Sequence, residues 1–557
     1  MLFWAKTTKI KNKNKSSYRF YCYMIVVEVK ACMMILLLKQ FFADLYTKAF
    51  PFIGEVLLPA MLIITAAVLT VRTYFFQFCS IGDMFKTTVG SLISRKKRNK
   101  DEVFKQTKEK TKEKNSQKGT VSPFSALCTA LSATIGTGNI AGVAYAMVMG
   151  GAGAVFWMWA ATFVGMILKF AEGVLAVKYR VSEQDGVKGG AMYYIEKCTH
   201  RFGLKKSAKA FARIFAVATV FASFGIGNMS QASAISKSME SAFGLSDASC
   251  VCLGIVLSVA AAAVVIGGAK RIAGANERLV PFMAVFYIAG CLVILAVRAE
   301  YIGDALFSIF SNAFGADAAT GGIGGYAVAK SASWGLRRGL FSNEAGLGSS
   351  ATVHAMSQEN NPVKQGFWGM FEVFFDTGVI CTLTSLVILT TTGIPHIGNG
   401  ANGANIVGDE AKLGLAVNAF SFVFGNYGGA FVALSVALFA FSSILGWCFY
   451  GEKACEYLFG KKITFLYKAV FSASIIPGMM LGADLVMNVS DLFNIFMAVP
   501  NLSAVLLMSG EISQCVKVYL KSTGKGRGKN KENNNEKSNE KNKGKYCLSA
   551  NGSNTQT

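Results

Sequence analysis

Charge is scarce in this sequence, and the scarcity excludes more than any single motif does. Asp, Glu, Lys and Arg make up only 16% of 557 residues, against 52% hydrophobic residues and 57 glycines; no soluble domain of this size needs that balance to fill its core. Histidine is nearly missing: His200, His354 and His396 show no metal or nucleophile spacing, which argues against a membrane enzyme. The 13 cysteines lie mostly in or beside apolar stretches without paired CxxC spacing, so neither a disulfide framework nor a zinc site is indicated and they read as packing residues. Rings of charge and a repeated filter motif, the marks of a channel, are absent as well. A dinucleotide fingerprint is ruled out, because the glycine after Gly136 and Gly138 is Gly142, one residue too late, and no strand precedes it.

What the sequence does contain is long apolar blocks, such as Val56 to Thr70 with its flanks and Gly428 to Trp447, of a length that crosses a bilayer as a helix. The fold class expected is an all-α integral membrane protein of about eleven transmembrane helices, at 53–76, 124–149, 152–178, 210–236, 249–268, 280–299, 325–353, 366–393, 428–450, 463–481 and 484–510. Between these lie a basic loop at 77–121, a connection at 300–324 and a basic tail at 511–557. The charged centre of the loop and the Lys-rich tail read as disordered and cytoplasmic.

The net charge of +24 follows a positive-inside pattern better than it suggests a nucleic-acid partner. Loops expected inside carry Arg180, Lys188, Lys197, Arg201, Lys205, Lys206 and Lys209, then Lys270, Arg271 and Arg278, then Lys453, Lys461 and Lys462. Loops expected outside carry Asp247, Glu300, Asp304, Asp317, Asp409 and Glu410. This arrangement predicts a multi-pass protein of the plasma membrane with a cytoplasmic carboxyl terminus. The first 52 residues fit it less well, since Lys6, Lys9, Lys11, Lys13 and Lys15 would lie outside. Either Tyr21 to Leu38 is a further span, although Glu28 and Lys30 each oppose insertion by about 2.5–3.5 kcal/mol, or translation starts later, for instance at Met33 or Met34.

The blocks from 122 to 510 divide into two groups, 122–299 and 325–510, each with an odd number of spans. The second group is then inverted relative to the first, the arithmetic of an inverted-repeat transporter whose first helix in each half is broken near mid-membrane. A breaking run does stand near the start of each half. The first is Ser132-Ala-Thr-Ile-Gly136-Thr-Gly-Asn139, where two glycines let the backbone leave helical geometry at about 1 kcal/mol each relative to alanine. Freed carbonyls and hydroxyls suit a small hard cation, and the amides of the restarted half-helix suit a carboxylate. A zwitterion plus a sodium ion satisfies both. Gly142, Gly150 and Gly151 read instead as close helix packing.

The second run extends from Gly335 to Ser350 and holds Arg337, Arg338 and Glu344. Charges at that depth need partners, and pairing of Glu344 with Arg337 or Arg338 is preferred to a direct substrate role. Ser442 and Ser443 can add two oxygens to a cation shell, although such hydroxyls often bond back to their own helix. Trp447 can wall a small pocket, and Gln231 is an uncharged polar group in an apolar span. Asp376 reads equally as a buried structural carboxylate and as an ion-coupling one.

Together these residues resemble the alanine/glycine:cation symporter family. The matching runs are Ser122-Pro-Phe-Ser-Ala-Leu-Cys-Thr-Ala-Leu, Gly136-Thr-Gly-Asn-Ile-Ala-Gly, Gly189-Gly-Ala-Met-Tyr-Tyr-Ile, Gly339-Leu-Phe-Ser-Asn-Glu-Ala-Gly and Gly446-Trp-Cys-Phe-Tyr-Gly-Glu, spread over 50–512. The resemblance implies a leucine-transporter-like five-plus-five inverted repeat with one extra amino-terminal helix, and sodium- or proton-coupled uptake of alanine, glycine or a related neutral amino acid. It implies a substrate site of Thr134, Gly136, Thr137, Gly138, Asn139, Gln231, Phe341 and Trp447, and a sodium site of Ser132, Ile135, Ser442 and Ser443. No cofactor beyond the coupling ion is expected, and the partners are the amino acid and the bilayer. Carriage of glutamine or serine, and an amino-acid receptor on the same scaffold, are the alternatives. The sequence leaves the oligomeric state open and is compatible with a monomer.

Overall fold

The computed structural model describes residues 53–93, 121–183, 186–201, 205–314, 322–392, 409–480 and 483–524. The candidate span at 21–38, the charged centre of the basic loop and the end of the tail fall outside these. Contacts divide the chain after Val56; of the earlier unit, residues 53–56 are described, in the π-helical turn Ile53–Leu57.

Among its described residues the second unit is helical apart from a two-stranded hairpin, β1 (Val181–Glu183) with β2 (Gly186–Lys188), and a single bridge between Val121 and Ser357. Its helices are α1 (Leu58–Arg72), the short α2 (Phe76–Cys79) and α3 (Ile81–Thr87), α4 (Pro123–Thr134), α5 (Ala141–Gly150), α6 (Gly153–Lys178), α7 (Ala191–Arg201), α8 (Lys205–Phe224), α9 (Ser230–Phe243), α10 (Asp247–Val265), α11 (Ala269–Val297) and α12 (Ile302–Phe314). They continue as α13 (Gly322–Ser342), α14 (Ala351–Ala355), α15 (Pro362–Val373), α16 (Thr382–Thr391), α17 (Asp409–Phe424), α18 (Tyr427–Phe459), α19 (Thr464–Ala473), α20 (Ile475–Met480), α21 (Ala483–Leu507) and α22 (Ser509–Ser522). Starts follow capping chemistry. Ser122 Oγ accepts the Ser125 N–H at 3.0 Å ahead of Pro123, and Asn361 Oδ1 accepts the Val363 N–H at 3.0 Å ahead of Pro362.

Among the described residues, eight helices are long and apolar enough to cross a membrane, or nine if the bent pair α4–α5 is one span. Two of the expected spans fall short. α1 has 15 residues, roughly 22 Å of helix, and α13 carries Lys330, Arg337 and Arg338 within its 21 residues. Other expectations are corrected by local pattern. Part of the 300–324 connection is helix α12, part of the 77–121 loop is α2 and α3, and the first residues of the tail belong to α22. The last is ordered because Ile512, Val516 and Tyr519 are buried along one face, while Arg72 donates to Ser509 Oγ at 2.8 Å and Ser513 donates to the Arg72 carbonyl.

The centre of the unit is built on two helices. α6 packs against α13 and α15, and α18 against α4, α8, α9 and α11. The first contact depends on missing side chains: a Cβ at Gly335 would lie 2.3 Å from the Ala154 carbonyl, and one at Gly339 2.5 Å from Ala161 Cβ. This is small-residue packing between membrane helices. Outward faces are apolar, with Val256 and Val259 on α10, Phe282 and Val285 on α11 and Phe307 on α12 exposed, as a lipid-facing surface requires.

Candidate functional site

The site begins where α4 stops. After Thr134 the backbone turns extended at Ile135 (φ −76°, ψ 95°) and Gly136 (φ −135°, ψ −161°), a single 3-10 turn covers Thr137–Asn139, and α5 restarts at Ala141. The two halves are bent by 64°. A Cβ at Gly136 would lie 2.9 Å from Ser443 Oγ and 3.4 Å from Gln231 Oε1, so glycine here permits close approach as well as the bend. Interruption frees the last carbonyls of α4 from their usual partners.

Those carbonyls meet α18. Ser443 Oγ lies 3.3 Å from Ile135 O and 3.0 Å from Phe439 O. Ser442 Oγ lies 3.5 Å from Ser132 O and 2.8 Å from Phe439 O. The four groups expected to bind sodium are thus brought together, while the shorter contact of each serine is the back-bond to Phe439 O of its own helix. All five residues are buried. An all-oxygen donor set of carbonyls and hydroxyls fits a small hard monovalent cation. Gly446 admits this approach, since a Cβ there would lie 2.5 Å from Ser132 Oγ, and Asn276 of α11 steadies the same hydroxyl at 2.9 Å.

Asn139 holds the break itself. Its Oδ1 accepts the Gly136 N–H at 3.0 Å, and its Nδ2 donates to Asp376 Oδ1 at 2.7 Å. Asp376 stands in a π-helical segment, Phe374–Cys381, between α15 and α16, and its other oxygen accepts from Thr377 at 2.9 Å and Ser342 at 3.2 Å. One carboxylate therefore ties the first break to the end of α13.

Around the break, Gln231 donates to Ile226 O at 3.0 Å while its Oε1 is buried without a hydrogen-bond partner. Ile226 belongs to the π-helical turn Gly225–Met229 joining α8 to α9. Trp447 packs on the same turn, with its Cβ only 2.3 Å from where a Gly227 Cβ would be. The Thr134 hydroxyl bonds weakly back to its own helix, at 3.4 Å to Leu131 O. Thr137 and Gly138 are partly exposed, as is Phe341, one residue before Ser342 in the last turn of α13. Ser132, Ile135, Gly136, Asn139, Gln231, Ser442, Ser443 and Trp447 thus share one region; no described contact joins Phe341 to it directly.

The second break lies at Asn343–Ser350, with Glu344 (φ 52°), Gly346 (φ 86°) and Gly348 (φ 75°) in left-handed geometry. Here the expected pairing of Glu344 with Arg337 or Arg338 is replaced. The left-handed turn directs Glu344 to Ser349 Oγ, 2.7 Å away, and within the field of Lys169. The arginines remain on α13, Arg337 over the Trp334 ring and Arg338 against Gly142. Lys169, Glu172, Glu372, Gln365 and Asn501 gather beneath this break, a cluster the sequence reading missed. Its signal was available, because charged residues inside the apolar 152–178 block are costly unless used.

A broken membrane helix that turns freed carbonyls toward paired hydroxyls, inside a multi-spanning helical bundle, defines a secondary transporter. Comparison with known proteins narrows the class. Residues 39–535 match the sodium:alanine symporter family, and the chain belongs to that family; it is a transporter rather than an enzyme. It is similar to the sodium/alanine symporter AgcS of Methanococcus maripaludis, 43% identical over 72% of this chain and 84% of the relative. It is also similar to the probable sodium/glutamine symporter GlnT of Bacillus subtilis, 36% identical over 74% and 81%, and to the putative sodium/proton-dependent alanine carrier protein YrbD of the same organism, 40% identical over 62% and 69%.

Proposed function

We propose that this protein carries a small neutral amino acid, alanine or glycine first, into the cell together with sodium. The observation that carries this reading is the pair of approaches between α18 and the end of α4, Ser443 Oγ to Ile135 O and Ser442 Oγ to Ser132 O. Sodium would be held by the carbonyls of Ser132 and Ile135 and the hydroxyls of Ser442 and Ser443. The substrate carboxylate would take the amides of the Gly136–Asn139 run at the restart of the helix, with Thr134, Gln231, Phe341 and Trp447 around the remainder. The unpartnered Gln231 Oε1 is a free acceptor for the ammonium group. Asn139 acts by fixing the break, since its polar atoms are engaged within the protein.

The same reading includes about eleven spans in a five-plus-five inverted repeat. It is supported by a break near the start of each half, at 135–140 and 343–350, and by the close packing of α13 along α6 at Gly335 and Gly339. The lysines and arginines of the loops support a cytoplasmic carboxyl terminus. Transport then proceeds by alternating access: the ion organises the break, the amino acid completes the site, and one helix group rocks against the other.

Uptake of labelled alanine into proteoliposomes, with and without an inward sodium gradient, tests the proposal. Accumulation that requires the gradient is expected, with competition by unlabelled glycine stronger than by glutamine. Binding without flux would identify a receptor, and preferential competition by glutamine would move the assignment to that substrate.

A further inference from the structure

Beneath the second break three carboxylates are removed from solvent together. Glu172 on α6, Glu344 in the break and Glu372 on α15 are 1%, 4% and 0% exposed. Glu372 is matched: Lys169 Nζ donates to it at 2.8 Å and to Ser350 Oγ at 2.9 Å, and His354 Nε2 lies 3.1 Å from its other oxygen. Gln365 Nε2 lies 2.7 Å from His354 Nδ1, an arrangement satisfied by a neutral imidazole. Glu172 and Glu344 have only neutral partners. Glu172 Oε1 accepts from the Gly348 N–H at 3.1 Å and Asn501 Nδ2 at 2.7 Å, and Asn501 is held in turn by Tyr194. Glu344 accepts from Ser349, and the Trp447 indole lies close enough to act on it.

Even an imidazolium at His354 would leave this group one negative charge in excess, and a buried unmatched charge costs several kcal/mol. Two atoms mark where the balance is missing. Glu172 Oε2 is buried with no hydrogen-bond partner. The Tyr450 hydroxyl, on α18 and fully buried, is likewise unpartnered and lies within the field of all three carboxylates.

We propose that Glu172 and Glu344 together hold one exchangeable proton, whose occupancy is linked to amino-acid binding through Trp447. The exchange is a simple transfer: a hydronium ion gives up a proton, one carboxylate becomes a carboxylic acid, and water leaves with no movement of electrons. The linkage rests on the site assignment above, in which Trp447 walls the substrate pocket; its ring also meets Tyr450 edge-on at 5.7 Å between centroids, and the unpartnered Tyr450 hydroxyl faces the carboxylates. A substrate that shifts this indole moves Tyr450 with it, which changes the polar surroundings, and so the proton affinity, of the carboxylates. The relation is reciprocal, so the proton must also change substrate affinity.

Infrared spectroscopy of the full-length protein in lipid near neutral pH is the test, run alongside alanine binding across about pH 5.5–8.5. The wild type is expected to show the C=O stretch of a protonated buried carboxylic acid, perturbed by alanine. That band is lost in Glu344→Gln or Glu172→Gln and kept in Asp376→Asn. Alanine affinity should change about tenfold over the pH range in the wild type and less than about twofold in the glutamate variants. Absence of the band in the wild type, or its survival in both glutamate variants, overturns the proton site. A pH dependence that disappears in His354→Asn but persists in both glutamate variants also overturns it. If alanine neither binds nor is taken up, the transport assignment fails, while the band still decides the proton site.

Discussion

Ser443 shows how little separates structure from chemistry at one residue. A hydroxyl has one proton, and Ser443 Oγ stands beside two carbonyls, at 3.0 and 3.3 Å; whichever it serves, its lone pairs and the other carbonyl are left to a cation. Ser443→Ala is therefore expected to abolish accumulation at low sodium and to raise the sodium concentration for half-maximal alanine uptake about tenfold or more, about 1.4 kcal/mol. Its thermal midpoint should hardly move. Asn139→Ala should also abolish accumulation but for a different reason. It strands the buried Gly136 N–H and Asp376 Oδ1, each worth about 1–3 kcal/mol when unpaired, so its thermal midpoint falls as well. Sodium titrations of uptake and melting curves on the same preparations separate the two residues. Wild-type uptake in both variants would remove the site assignment.

At the scale of elements, the two interruptions differ in how far they could be read. Gly136-Thr-Gly-Asn inside an apolar block announces its own break, because no packing demand explains the threonine and asparagine together. The run from Gly335 to Ser350 was legible only as a region. Gly335 and Gly339 resemble breakers, yet α13 continues through both, since they exist to let α6 approach. The true interruption lies past Gly339, where Glu344, Gly346 and Gly348 are left-handed. Gly335→Val should thus act on assembly rather than chemistry. Its added carbons meet the Ala154 backbone, which cannot swing aside, and the expected result is a lower thermal midpoint and a smaller monodisperse fraction in size-exclusion chromatography. Asp376 belongs to the same scale. Both its oxygens are occupied by Asn139, Ser342 and Thr377, which favours the structural reading over ion coupling. Asp376→Asn should retain most uptake with an unchanged sodium dependence, whereas Asp376→Ala should lose it. A changed sodium-to-alanine ratio in Asp376→Asn would restore the coupling role.

For the whole molecule, the charge pattern predicts orientation. A single cysteine placed at Thr523, just after α22, in an otherwise cysteine-free protein should react with a membrane-impermeant maleimide only after the cells are opened. Labelling of intact cells would invert the topology and, with it, the assignment of inner and outer loops. The membrane also explains which parts of the fold were easy to read. Apolar block length, loop charge and the first break are local consequences of the solvent that each segment meets, and they needed no knowledge of neighbours.

Repeated membrane crossing and the interruption at Gly136 could be read from consecutive residues, before any contact between helices was known. Packing is what brings distant groups together: Ser442 and Ser443 onto the carbonyls of Ser132 and Ile135, Asp376 between the first break and Ser342, and Lys169 onto Glu372 beneath the second break. The physical reason is distance along the chain. Backbone interruption and hydrophobic length are properties of a few consecutive residues. A coordination shell or a buried charge balance is a sum over residues hundreds of positions apart, and it exists only once the helices have packed.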